Sequence, residues 1–157
     1  MFGLPSNTNL IWTAPLVAIL VWIIWVVWRK QIIPDFANLA LLVCGFAQHT
    51  FPQGASLNEP LLGSLVGGLC MYVMRDVYFR VRRGHGLGMG DVKFMAAAGA
   101  WVGALSLPWV LLIASLVAIS YVIIASAMQK GFDATARLAF GPFLALGLFV
   151  TWLIENV

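Results

Sequence analysis

Apolar residues run along this chain in long blocks, at 10–28, 32–48, 60–78, 92–107, 109–128 and 138–154, each closed by a short polar, glycine or proline stretch. They do not alternate with polar ones as a half-buried strand requires, so the pattern predicts helices. Helices apolar on every side belong in lipid rather than on a wetted surface. The blocks at 32–48 and 92–107 fall short of the ~20 residues that a ~30 Å hydrocarbon core asks of a helix. These two are expected to begin below the membrane surface, beside a hydrated cavity.

Composition sharpens this picture. Apolar residues make up 62% of the 157 and charged ones 10%, with a mean hydropathy of +0.95. Such a balance predicts an all-α integral membrane protein, a six-helix transmembrane bundle forming a single domain over 1–157. Little length remains for a separate soluble module, so function is expected inside the bundle or on its rims. The first block is expected to stay as a span. A secretory signal carries its positive charges before the apolar run, whereas here Arg29 and Lys30 follow it. Trp12 and Trp28 are placed to anchor its two ends at the interfaces.

Charge fixes an expected orientation. When loops are assigned alternately to the two sides, Arg29, Lys30, Arg75, Arg80, Arg82, Arg83, Lys93, Lys130 and Arg137 all fall on one side. That side is then cytoplasmic, and both termini are extracytoplasmic. The formal charge of +3 thus reports orientation rather than an anionic partner, and nucleic acid is not expected as one. Cys44 and Cys70 lie in apolar runs with no Cys or His at ligand spacing, so neither a metal site, a cofactor nor a disulfide framework is expected. Small residues four apart, Gly63 and Gly67, Ser64 and Gly68, Ala96 and Ala100, Gly99 and Gly103, predict close helix approach.

The stretch with the clearest chemistry is Gly86-Leu87-Gly88-Met89-Gly90-Asp91, a glycine hinge that delivers a carboxylate to the mouth of an apolar block. An acid at such a depth is costly and marks a functional site. Favourable interaction with a helix N-terminus is the plainer explanation for an acid in a first turn. It leaves unexplained the glycines at alternate positions before it, which let a backbone come close to an extended substrate. Asp35 follows Pro34 at the start of another block, where a structural turn acid and a functional one are both open readings. Two carboxyls brought together share a proton, one activating water while the other donates a hydrogen bond, which is the chemistry of an aspartic hydrolase.

The remaining polar residues suggest plainer tasks. His49 and His85 have no spaced partner and are expected to be solvated; Asp76 and Arg80 are set to pair across one helical turn; Lys93 points away from Asp91. Phe140-Gly141-Pro142 is a helix-breaking turn, open to reading as a cavity lining or as a kink.

Taken together, Ile32-Ile33-Pro34-Asp35, Gly86-Leu87-Gly88-Met89-Gly90-Asp91-Val92-Lys93-Phe94 and Phe140-Gly141-Pro142-Phe143 resemble the type IV prepilin peptidases, polytopic aspartic proteases of the GxGD type. The resemblance implies a multi-pass protein of the bacterial inner membrane. It implies cleavage of the basic leader of prepilins or pseudopilins at the cytoplasmic face. The implied partners are those leaders and the lipid bilayer, with self-association open. Asp91 matches the second catalytic aspartate, and Gly88, Gly90, Gly141 and Pro142 the substrate-binding positions. The family's zinc-binding cytoplasmic insert is absent from this short form, so methyl transfer is not expected. The first catalytic aspartate would stand eight residues before Asp35, where this chain has Val27. Three readings follow: a peptidase in which Asp35 substitutes for the missing partner, a catalytically silent homologue that holds prepilins or pilus-assembly partners, and a small transporter.

Overall fold

Five helices account for nearly all of the chain described by this computed structural model, which covers residues 7–30, 34–50, 57–82, 88–128 and 140–156. They are α1 (Asn7–Lys30), α2 (Asp35–Thr50), α3 (Asn58–Arg82), α4 (Met89–Met128) and α5 (Gly141–Asn156). His85, Gly86 and Leu87 of the glycine hinge, Ile32 and Ile33, and Arg83, Lys130, Asp133 and Arg137 lie outside the described residues.

Four of the helices start in the same way. The carbonyl of the preceding residue takes the first hydrogen bonds, and an acid or a proline occupies the first turn. Pro34 accepts from Ala37 and Asn38 at 3.0 and 3.3 Å, Leu57 from Leu61 at 3.1 Å, Gly88 from Asp91 at 3.2 Å, and Phe140 from Phe143 and Leu144 at 3.1 Å. Asp35, Glu59 and Asp91 then face the positive helix end, and Pro60 and Pro142 sit where a missing N–H costs nothing. The Gly141-Pro142 pair therefore opens α5.

α4 is the axis of the bundle. Its 40 residues are two helical stretches joined at Gly103, whose φ of 74° and ψ of 171° are open only to glycine without strain. The sequence blocks divide at Pro108, yet the helix passes through that proline and breaks five residues earlier. A proline disrupts the turn before it, and the flexible glycine there absorbs the change of direction.

The small residues act as the spacing predicts. A methyl on Gly63 would collide with the Gly99 carbonyl, one on Gly67 with the Met95 carbonyl, and one on Gly147 with the Val110 carbonyl. α3 and α5 thereby reach the α4 backbone directly, the approach that small residues permit in membranes. Against α2 the tie is polar as well: Trp101 donates its indole N–H to the Leu41 carbonyl at 2.7 Å, and Gln48 donates to the Trp101 carbonyl at 2.9 Å. α1 packs on α5 and α2 through Leu16, Leu20, Ile23 and Val27, a single stripe at spacings of four and three.

The outer surface is apolar. On α3 the exposed side chains include Leu61, Leu62, Leu65, Val66 and Leu69, and Leu105 of α4 is 93% exposed. Two helices, α1 over Ile11–Arg29 and α4 over Met89–Met128, are long and apolar enough to cross a membrane; 22% and 17% of their most apolar windows are buried. The core helix of a soluble protein would be mostly covered, so the outward leucines and valines suit lipid contact.

Candidate active site

The site is built on the first turn of α4. Gly88 precedes the helix, Met89 and Gly90 begin it, and Asp91 is the third helical residue. Asp91 donates its backbone N–H to the Gly88 carbonyl at 3.2 Å, and its carboxylate accepts the Gly88 N–H at 3.3 Å. This reciprocal pair is half of a capping box, with glycine in place of the usual serine or threonine. The capping explanation of Asp91 is therefore realised in the structure, but it is incomplete. A capping acid works well at the surface, whereas Asp91 is only 8% exposed, with Val92, Phe94 and Met95 buried around it. Desolvating a carboxylate for one backbone hydrogen bond is a poor exchange, so its burial needs a further reason.

Gly88 also needs one. A side chain there would meet the Asp91 carboxylate only at 3.5 Å and the Gly90 nitrogen at 3.8 Å, ordinary contact, and its φ lies outside the left-handed region. Among the described residues nothing demands glycine at 88.

Asp35 occupies the equivalent turn of α2 in a different environment. Its side chain is 75% exposed and accepts from the Lys93 ammonium at 2.7 Å. Lys93 leaves α4 on the side away from Asp91, as the two-residue spacing predicts. Asp76 and Arg80 also pair as their spacing predicts, at 2.8 Å on the surface of α3. Val27 is 1% exposed within the α1 stripe. Gly141 and Pro142 start α5, which enters the core through Leu144, Ala145, Leu148 and Trp152, with Phe140 and Phe143 partly buried against it. Of the sequence candidates, then, Gly88, Gly90 and Asp91 share one turn, Asp35 is tied to α4 through Lys93, and Val27 is sealed in apolar surroundings.

One residue of this region was not singled out from the sequence. Asn38 of α2 is 4% exposed, and its amide nitrogen donates to the Gly90 carbonyl at 3.3 Å, joining α2 to the residue just before Asp91. Its carbonyl oxygen is buried with no hydrogen-bond partner among the described residues. An unsatisfied buried acceptor costs about 1–3 kcal/mol. The signal was a lone asparagine inside an otherwise apolar block, three residues after Asp35.

Residues 14–123 match the model of the type IV leader peptidase family. The chain is 38% identical over 122 residues to a prepilin leader peptidase/N-methyltransferase of Escherichia coli K12, covering 78% of this chain and 53% of the relative. It is 39% identical over 122 residues to a type 4 prepilin-like proteins leader peptide-processing enzyme of Escherichia coli O78:H11, covering 77% and 43%. It is 33% identical over 119 residues to the prepilin leader peptidase/N-methyltransferase of Pectobacterium carotovorum, covering 76% and 42%. The chain thus spans about half the length of these relatives, or less. No solved structure matches it. The matched residues contain Val27, Asp35, Asn38 and the whole first turn of α4, and on that match the chain belongs to the type IV leader peptidase family.

Proposed function

We propose that this chain is the membrane domain of an aspartic endopeptidase that removes the basic leader from type IV prepilins or pseudopilins at the cytoplasmic face of the bacterial inner membrane. The observation that carries the reading is the buried Asp91 carboxylate, held by the Gly88 N–H beneath a turn in which no described neighbour requires glycine at 88. A backbone stripped of side chains beside a desolvated acid suits an extended peptide passing alongside. Asp91 acts as the general base on water, and Gly88, Gly90, Gly141 and Pro142 bind the substrate. The break at Gly103 supports a six-span arrangement, since it divides α4 into two stretches and makes six with the other four helices. With Lys and Arg gathered on one side, the termini then face away from the cytoplasm.

A second reading is favoured by one specific observation. Val27 is sealed in the core where the dyad partner would stand, and a single carboxylate cannot supply both the base and the acid of a dyad. On this reading the chain holds prepilins or assembly partners without cutting them. Incubating the purified protein and a Val27→Asp variant with a prepilin in detergent, and following leader removal on a gel, separates the two. Cleavage by both identifies an active enzyme completed by another group. Cleavage by the variant alone identifies a silent scaffold, and cleavage by neither removes the peptidase reading.

A further inference from the structure

The Asn38 amide has one end in use and one end free, and the direction in which it lies is determined. Its nitrogen must face the Gly90 carbonyl, because the reverse orientation would set two acceptors against each other. The oxygen is consequently the atom left without a partner among the described residues, in a residue 4% exposed, next to the backbone that delivers Asp91. An apolar side chain would serve the packing of α2 better at this position. The asparagine is instead a retained cost at the candidate site.

We propose that Asn38 is a substrate-binding residue whose free carbonyl oxygen accepts one backbone N–H of the extended peptide brought to Asp91. This rests on the peptidase reading and names a contact within it. A peptide N–H suits a single buried acceptor. A buried water needs two to four polar partners, whereas here the Gly88 N–H is engaged by Asp91 and one of the two Asn38 amide N–H groups by Gly90. One isolated acceptor is satisfied by one donor that brings no lone pairs of its own, and a peptide offers such a donor at every residue.

The same seam shows how the oxygen is reached. At their far ends α2 and α4 are locked by the Trp101 indole on the Leu41 carbonyl and by Gln48 on the Trp101 carbonyl. At the near end the ties are the Asn38–Gly90 bond and the Asp35–Lys93 ion pair, whose side chains are 75% and 49% exposed. Exposed pairs hold weakly, so the first turn of α2 yields before the Trp101 end does.

The test is a binding measurement on the intact protein in detergent. The probe is a synthetic peptide covering a prepilin leader and the first residues of its apolar helix, together with a series of analogues in which one amide at a time is replaced by an ester. In the unmodified protein one ester position is expected to weaken binding about tenfold, the loss of one hydrogen bond to a buried acceptor. Asn38→Leu is expected to bind the parent peptide about tenfold more weakly and to lose sensitivity to that ester alone. A purely structural asparagine would leave the ester profile unchanged in Asn38→Leu, and that result overturns the inference while leaving the peptidase reading intact. Should Asn38→Leu fail to fold, the ester series on the unmodified protein decides, and a profile with no distinguished position overturns it. Failure of the unmodified protein to bind the parent peptide overturns the peptidase reading and this inference with it.

Discussion

Two acids, Asp35 and Asp91, stand in the first turns of two neighbouring helices of this molecule. One is 75% exposed and paired with Lys93; the other is 8% exposed and held by the backbone N–H of Gly88. Local rules give both the same task, an anion at the positive end of a helix. Tertiary placement separates them. α2 presents its first turn at the rim, while α4, packed on by α2, α3 and α5, carries its own first turn inward. The chemistry of an acid at a helix start is therefore decided by what packs on that helix, and the buried acid is the one for which stability alone gives no reason.

The largest effect that tests this difference is expected at Asp91. Asp91→Asn keeps an oxygen to accept the Gly88 N–H and removes only the charge, so the fold is expected to persist with a melting temperature equal to or above that of the unmodified protein. Leader removal, in whichever protein performs it, the unmodified chain or Val27→Asp, is expected to fall by a factor of about 10²–10⁴, the range of a general base. The same substitution at Asp35 is expected to change leader removal only slightly. An equal loss from both acids in the gel assay would erase the distinction drawn between them.

How much of this contrast was legible in the sequence is uneven. The helical blocks, the small-residue contacts of Gly63 and Gly67, and the pairing of Asp76 with Arg80 followed from periodicity and spacing, because each is set by neighbours within a few turns or by backbone approach. The position of the α4 break was not legible. Proline and glycine five residues apart both permit it, and only the packed structure shows that the chain bends at Gly103. Nor was Asn38, whose significance arises from a contact 52 residues away in sequence. The rule that a polar group inside an apolar span asks for a function would have raised it, had it been applied to an amide as it was to the acids.

A middle-sized effect is expected at Gly88. Since no described residue crowds a methyl there and the backbone is not left-handed, Gly88→Ala is expected to leave the melting temperature essentially unchanged. If the glycine serves a peptide lying against the turn, the methyl weakens substrate binding, with KM for a prepilin rising several-fold and kcat little altered. A fall in melting temperature with KM unchanged would instead return Gly88 to the cap of α4 and weaken the case for Asp91 as a substrate-facing acid.

The smallest effect is expected at the Asp35–Lys93 pair, and its sign carries the most information about Asp35. An exposed ion pair contributes no more than about 1 kcal/mol and is screened by salt. As a clip between α2 and α4, it predicts that Asp35→Asn and Lys93→Met each change stability and leader cleavage slightly and to the same extent, and that the double variant adds nothing further. As a substitute partner for Asp91, Asp35 would respond in opposite directions. Removing Lys93 would free the carboxylate and raise the cleavage rate, whereas Asp35→Asn would abolish it. The geometry favours the clip, because the Asp35 oxygen lies 2.7 Å from the Lys93 ammonium while the Asp91 carboxylate is engaged with Gly88. Equal small effects, fading together as salt is raised, are the outcome expected from the cleavage assay, and a rate increase in Lys93→Met alone would reassign Asp35 to the dyad.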